Sequence, residues 1–94
     1  MIISAQCRAA RALLNWSRKD LAEAAKVAER TIVDFERGAR TPYDRTLRDI
    51  CEAIEAAGVV LIAENGGGAG VRFSKPLNHN GDESDYASEN EVED

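Results

Sequence analysis

From the start of the chain, apolar residues recur with a helical period. Ile3, Cys7, Ala10 and Leu14 stand at i, i+4, i+7 and i+11 and share one face, while Arg8, Arg11 and Asn15 form a polar stripe elsewhere. That pattern predicts a helix over roughly 4–15. Ser17 follows as an N-cap, with Asp20 three residues on completing a capping-box pattern. A second helix is predicted over about 18–25, turning Leu21, Ala22 and Ala25 inward. After a short turn at Lys26 and Val27, a third helix over about 28–37 buries Ile32 and Phe35 and stops at Gly38, a residue suited to the position after a helix. Thr41-Pro42-Tyr43-Asp44 offers two starts for a fourth helix: Thr41 as cap with Pro42 in the first turn, or Asp44 itself as cap. The stripe of that helix is Leu47, Ile50, Cys51, Ile54 and Ala57, and Gly58 ends it.

At Val59 the period changes. Val59-Val60-Leu61-Ile62-Ala63 is rich in β-branched residues and flanked by glycine, so it reads as a strand apolar on both faces and buried on both. Asn65-Gly66-Gly67-Gly68-Ala69-Gly70 has turn chemistry, and Val71-Arg72-Phe73 returns as a second strand. From about Lys75 the chain is polar and acidic, which predicts a disordered tail over 75–94. The expected organisation is one domain over 1–74, with a hairpin at 59–73, and then the tail. The fold class is mainly α, a compact four-helix domain with a short hairpin.

Charge sharpens this division. The 94 residues carry a formal net charge of −5. Asp82, Glu83, Asp85, Glu89, Glu91, Glu93 and Asp94 all lie in the last stretch, which contains no Lys or Arg. Residues 1–81 therefore hold the 12 basic groups and the other 10 acids, a mildly basic body with an acidic appendage. The aromatics are few (Trp16, Phe35, Tyr43, Phe73 and Tyr86), so the core must be built from Ala, Leu, Ile and Val.

No candidate chemistry assembles from these residues. His79 is the single histidine and lies in the expected tail, and the acids sit on solvated helix faces, so no catalytic, metal or cofactor site is expected. Cys7 and Cys51 read as small buried hydrophobes. Asn65–Gly70 lacks the Lys-Ser/Thr of a phosphate loop and reads as a hairpin turn. Trp16, beside the Ser17 cap, reads as a staple at the edge of the core. Arg8 and Arg11 interrupt any signal-like apolar run, and Val59–Ala63 is too short to span a bilayer, which predicts a cytoplasmic protein.

The stretch Ser17 to Gly38, SRKDLAEAAKVAERTIVDFERG, resembles the Cro/C1-type (XRE) helix-turn-helix, the lambda-repressor-like fold. It has a cap, Leu-Ala early in the first motif helix, a small residue before the turn, Val in the turn, Thr-Ile in the next helix, and Glu-Arg-Gly. The Arg-bearing helix before it and Thr-Leu-Arg-Asp-Ile-Cys after it extend the resemblance to about residues 5–58. Two positions depart from the pattern: Lys26 stands where Gly is usual in the turn, and Ala28 where a Ser or Thr usually caps the second motif helix.

The resemblance implies a transcriptional regulator whose second motif helix enters the major groove. Carried over, Glu29, Arg30 and Asp34 take base-reading positions with Thr31 beside them. Arg18 and Lys19 would meet phosphates, and Arg37 and Arg40 would touch backbone or minor groove. The two-sided strand Val59, Val60, Leu61 and Ile62 is a candidate dimer seam. Two readings stand. One is a homodimeric, sequence-specific repressor on double-stranded operator DNA. The other, prompted by the acids Glu29 and Asp34 and the acidic tail, is a protein-binding antagonist (an antiactivator or antitoxin-like module) whose partner is another regulator.

Overall fold

The computed structural model of the chain describes residues 2–76. Four helices precede a hairpin: α1 (Ser4–Leu14), α2 (Arg18–Ala25), α3 (Glu29–Glu36), α4 (Asp44–Ala56), β1 (Val59–Ile62) and β2 (Gly70–Phe73). The expected four-helix domain with a short antiparallel hairpin is what the chain forms. Its expected tail lies, beyond Pro76, outside the described residues, as does His79.

The helices pack around Cys7, Ala10, Leu21, Ala22, Ala25, Ile32, Phe35, Leu47, Ile50 and Ile54. Small residues on α1 and α2 allow the backbones to approach, and the larger Ile and Leu side chains of α2, α3 and α4 fill the space between them. Trp16, beside the Ser17 cap, and Val27, in the turn between α2 and α3, are half-buried and pack against this core.

Four expectations shift at element ends. Ile3 is the N-cap of α1 and is 52 % exposed, while Ile2 takes the core position. A periodicity rule presumes helical backbone, and at Ile3 the backbone is still extended, so its side chain leaves the face that Cys7 and Ala10 define. In its place Gln6 is buried. Neither Thr41 nor Asp44 caps α4: Tyr43 holds the N-cap position without a side-chain bond, its carbonyl accepting from Leu47 N–H at 3.0 Å. Ala57 lies past the last turn of α4 and is exposed. The first strand ends at Ile62, and of its residues only Val59 is fully buried.

In the hairpin, Val59 pairs with Phe73, Val60 with Arg72, Leu61 with Val71 and Ile62 with Gly70. Alternation sends Val59 and Leu61 to the core and Val60 and Ile62 to the other face. Gln6 fastens the hairpin to α1: its Nε2 donates to the carbonyls of Ile62 (2.9 Å) and Gly70 (3.0 Å), and its Oε1 accepts from Ile3 N–H (3.0 Å). One buried amide thus satisfies three backbone groups, two of them on opposite strands.

Candidate nucleic-acid interface

The two motif helices are set by local chemistry. At the start of α2, Ser17 Oγ accepts from Asp20 N–H at 2.9 Å, and the Asp20 carboxylate accepts from Ser17 N–H at 2.9 Å, a closed capping box. α2 ends at Lys26 with φ 61° and ψ 44°, the left-handed conformation the turn demands. A lysine there carries a cost of about 1–2 kcal/mol that glycine avoids. The chain then enters α3 through Ala28, whose side chain caps nothing.

α3 divides cleanly into two sides. Ile32, Phe35 and Glu36 are buried; Glu29 and Arg30 are exposed, and Thr31 and Asp34 are half-buried. On the outer side Arg30 Nε donates to both Asp34 oxygens, at 3.2 and 3.3 Å, and Arg37 approaches the same carboxylate at 3.9 Å. Arg30 remains 79 % exposed, so it holds this partner in water and can exchange it cheaply.

On the inner side the Glu36 carboxylate, 1 % exposed, is held from three directions. Arg11 makes a two-bond fork, Nε to Oε2 and Nη2 to Oε1, each 2.8 Å. Arg18 Nε donates to Oε1 at 3.1 Å, and the Cys7 thiol donates to Oε2 at 3.1 Å. Arg8 adds a bond to the Glu36 carbonyl at 2.8 Å, and Arg11 Nη1 reaches the Trp16 carbonyl at 3.1 Å. Burial alone would raise the Glu36 carboxyl, but the bonds from Arg11 and Cys7, the Arg11 charge and the Arg18 bond together hold it below the ordinary carboxylate value. Burial, and then the neighbouring carboxylate, push the Cys7 thiol far up, so it stays protonated and serves as a donor.

Between α3 and the start of α4 lies a groove of about 500 Å³ lined by Arg30, Thr31, Asp34, Arg40, Thr41, Pro42, Tyr43 and Thr46. Tyr43 stands on its rim, 86 % exposed. The structure thus brings Arg30, Thr31, Asp34 and Arg40 together. Glu29 is exposed at the first position of α3, and Arg37, at its C-cap, is exposed beside Asp34. Arg18 and Lys19 form the first turn of α2, where Lys19 is exposed and Arg18 is committed through Nε to Glu36. The strand Val59–Ile62 takes no part in this face. Val59 fills the core and Leu61 packs on it, leaving Val60 and Ile62 half-buried on the far side of the sheet.

Sequence reasoning missed Arg11 and Cys7 as partners of Glu36, and missed Tyr43 and Thr46 on the groove. An exposed aromatic beside Pro42 was the available signal for Tyr43; nothing in spacing pointed to Arg11. Among the described residues no three His, Cys, Asp or Glu side chains gather as a metal site, and no helix is long and apolar enough to cross a membrane.

A profile of the helix-turn-helix family, of Cro/C1 (XRE) type, matches residues 8–56, more than half of the chain. No curated protein sequence matches the chain. The matched span holds most of α1, the capped α2, the left-handed turn, α3 with its divided faces, and all of α4. The chain therefore belongs to the Cro/C1-type helix-turn-helix family and is a helix-turn-helix transcriptional regulator.

Proposed function

We propose that the protein is a homodimeric repressor that binds operator DNA in a sequence-specific way, and so acts in the compartment that holds the DNA. The outer side of α3 carries this reading: Arg30, at the second position of the helix, is exposed and opposite the buried Ile32 and Phe35. With α3 in the major groove, Arg30 leaves Asp34 for the O6 and N7 acceptors of a guanine, and Glu29 accepts from a cytosine amino group. Lys19, Arg37 and Arg40 then meet the backbone, joined by the terminal nitrogens of Arg18. Asp34, instead of repelling phosphate, holds Arg30 in place before DNA arrives. Val60 and Ile62, with the free edge of the hairpin, form the seam between two copies, which sets the spacing of the two α3 helices.

The test pairs DNA binding with regulation in the same variants. Arg30→Ala is expected to cost about 1–3 kcal/mol and relax one base pair of the site. Lys19→Ala is expected to weaken all sequences alike and lower the salt slope by roughly one phosphate. Lys19 is the cleaner probe than Arg18, because Arg18 also serves Glu36. Ile62→Lys should yield folded monomer in sedimentation. Loss of regulation in Arg30→Ala, without duplex binding by the wild type at low salt, would replace this reading with the one in which α3 grips another regulator protein.

A further inference from the structure

Positive charge is concentrated in one segment of the chain, just before Asp49 and Glu52. Residues 37–48 carry Arg37, Arg40, Arg45 and Arg48 against the single acid Asp44, and all four arginines are exposed. Arg40, Arg45 and Arg48 pair with no acid of the described residues within 4.0 Å. Arg40 and Arg30, the latter paired with Asp34, line the α3/α4 groove together with the hydroxyls of Thr31, Thr41, Thr46 and Tyr43. Two arginines against one carboxylate leave the groove net positive, and with its hydroxyl donors it suits an extended anionic chain.

The protein carries such a chain. Five of the seven acids after Gly81 stand at alternate positions: Glu83, Asp85, Glu89, Glu91 and Glu93, with Ala87 the one gap. Laid out as a strand, these carboxylates form a single row at a repeat of about 6.7 Å, because alternate side chains share a side. A one-sided row of evenly repeated anions is also what one strand of a nucleic acid presents. Reach is no obstacle. Pro76 stands beside the last turn of α4, about 20 Å along that helix from the groove at its start, and the seven residues from Leu77 to Glu83 span up to about 24 Å.

We propose that residues 82–94 bind the arginine face of the same chain, with the alternating carboxylates in the α3/α4 groove as a mimic of a nucleic-acid strand. The contact rests on charge and tethering. As a regulatory device it also rests on the reading that this face takes DNA. Tethering holds the carboxylates at an effective concentration on the order of millimolar, so a weak contact suffices to compete with weakly held duplex. A cognate site, which adds base contacts by Arg30, displaces the tail; a random sequence does not.

The experiment uses the full chain with Glu83→Gln, Asp85→Asn, Glu89→Gln, Glu91→Gln and Glu93→Gln, compared with wild type. Backbone amide shifts are expected to differ within residues 30–48, independently of protein concentration. The difference should vanish at about 0.5 M salt, where screening shortens to a few ångströms. Affinity for a short random duplex should rise about tenfold at low salt. Identical spectra over 30–48, or differences that grow with concentration, would overturn the intramolecular contact. Shifts as expected with equal duplex affinities would overturn the competition. If neither protein binds duplex, the DNA reading fails, and the amide shifts still decide the contact.

Discussion

Helix α3 carries two carboxylates two residues apart, each paired with arginine, and they live in different physics. Glu36 faces inward, is 1 % exposed and is held by Arg11, Arg18 and Cys7. Asp34 faces outward and is held by Arg30, itself largely in water. The inner pair cannot be undone without leaving a charge in a dry place, whereas the outer pair trades protein for water at little cost. One helix is thus fixed to the body by one ionic contact and left free to change partners at the other. The role proposed for α3 in the major groove needs both: a rigid pose and a negotiable face.

The largest expected effect that tests this contrast comes from the inner side. Arg11→Ala removes the two-bond fork and leaves Glu36 buried with Arg18 and Cys7, and should cost about 3–5 kcal/mol in denaturant unfolding. A loss below 1 kcal/mol would mean the cluster is no more structural than the outer pair. An intermediate effect follows from acid. The Glu36 carboxyl is held lower in the folded chain than its ordinary value of 4.5, so its contribution is complete above that value. It is lost as pH falls through the lowered one. Urea midpoints followed from neutral pH downward should fall more steeply in wild type than in Glu36→Gln, and parallel curves would refute the assignment. The smallest effect belongs to the outer side, where Asp34→Ala should change stability by no more than about 0.5 kcal/mol. If α3 reads DNA as proposed, its consequence should appear instead in DNA selectivity, since Arg30 loses its carboxylate partner.

What was legible in the sequence was local. Ser17 and Asp20, three residues apart, announced the start of α2, and the periodic Leu47, Ile50 and Ile54 announced α4, because caps and stripes are written within one or two turns. Lys26 took the left-handed position that its place in the turn implied. The outward set Glu29, Arg30 and Asp34 followed from the burial of Ile32 and Phe35. Contacts that join distant segments were not legible. Glu36 meets Arg11 and Arg18 from 25 and 18 residues away, and no spacing rule reaches so far. The two faces of the first strand follow the same rule: alternation makes both apolar, and only the packing of the hairpin on the core shows that Val59 and Leu61 are taken up there.

The Gln6 amide bears on how the chain folds. Its bonds to Ile62 and Gly70 close loops of 56 and 64 residues, while the contacts of α2 with α3 and α4 lie much closer along the chain. Long closures are entropically unfavourable until other contacts have shortened them, so the helices should form the nucleus and the hairpin should dock afterwards. Gln6→Ala would then speed unfolding while leaving the folding rate nearly unchanged, the signature of a contact absent from the transition state. The last clasp to fasten is then expected to be the first to open, so hydrogen exchange should report hairpin release before the helices open.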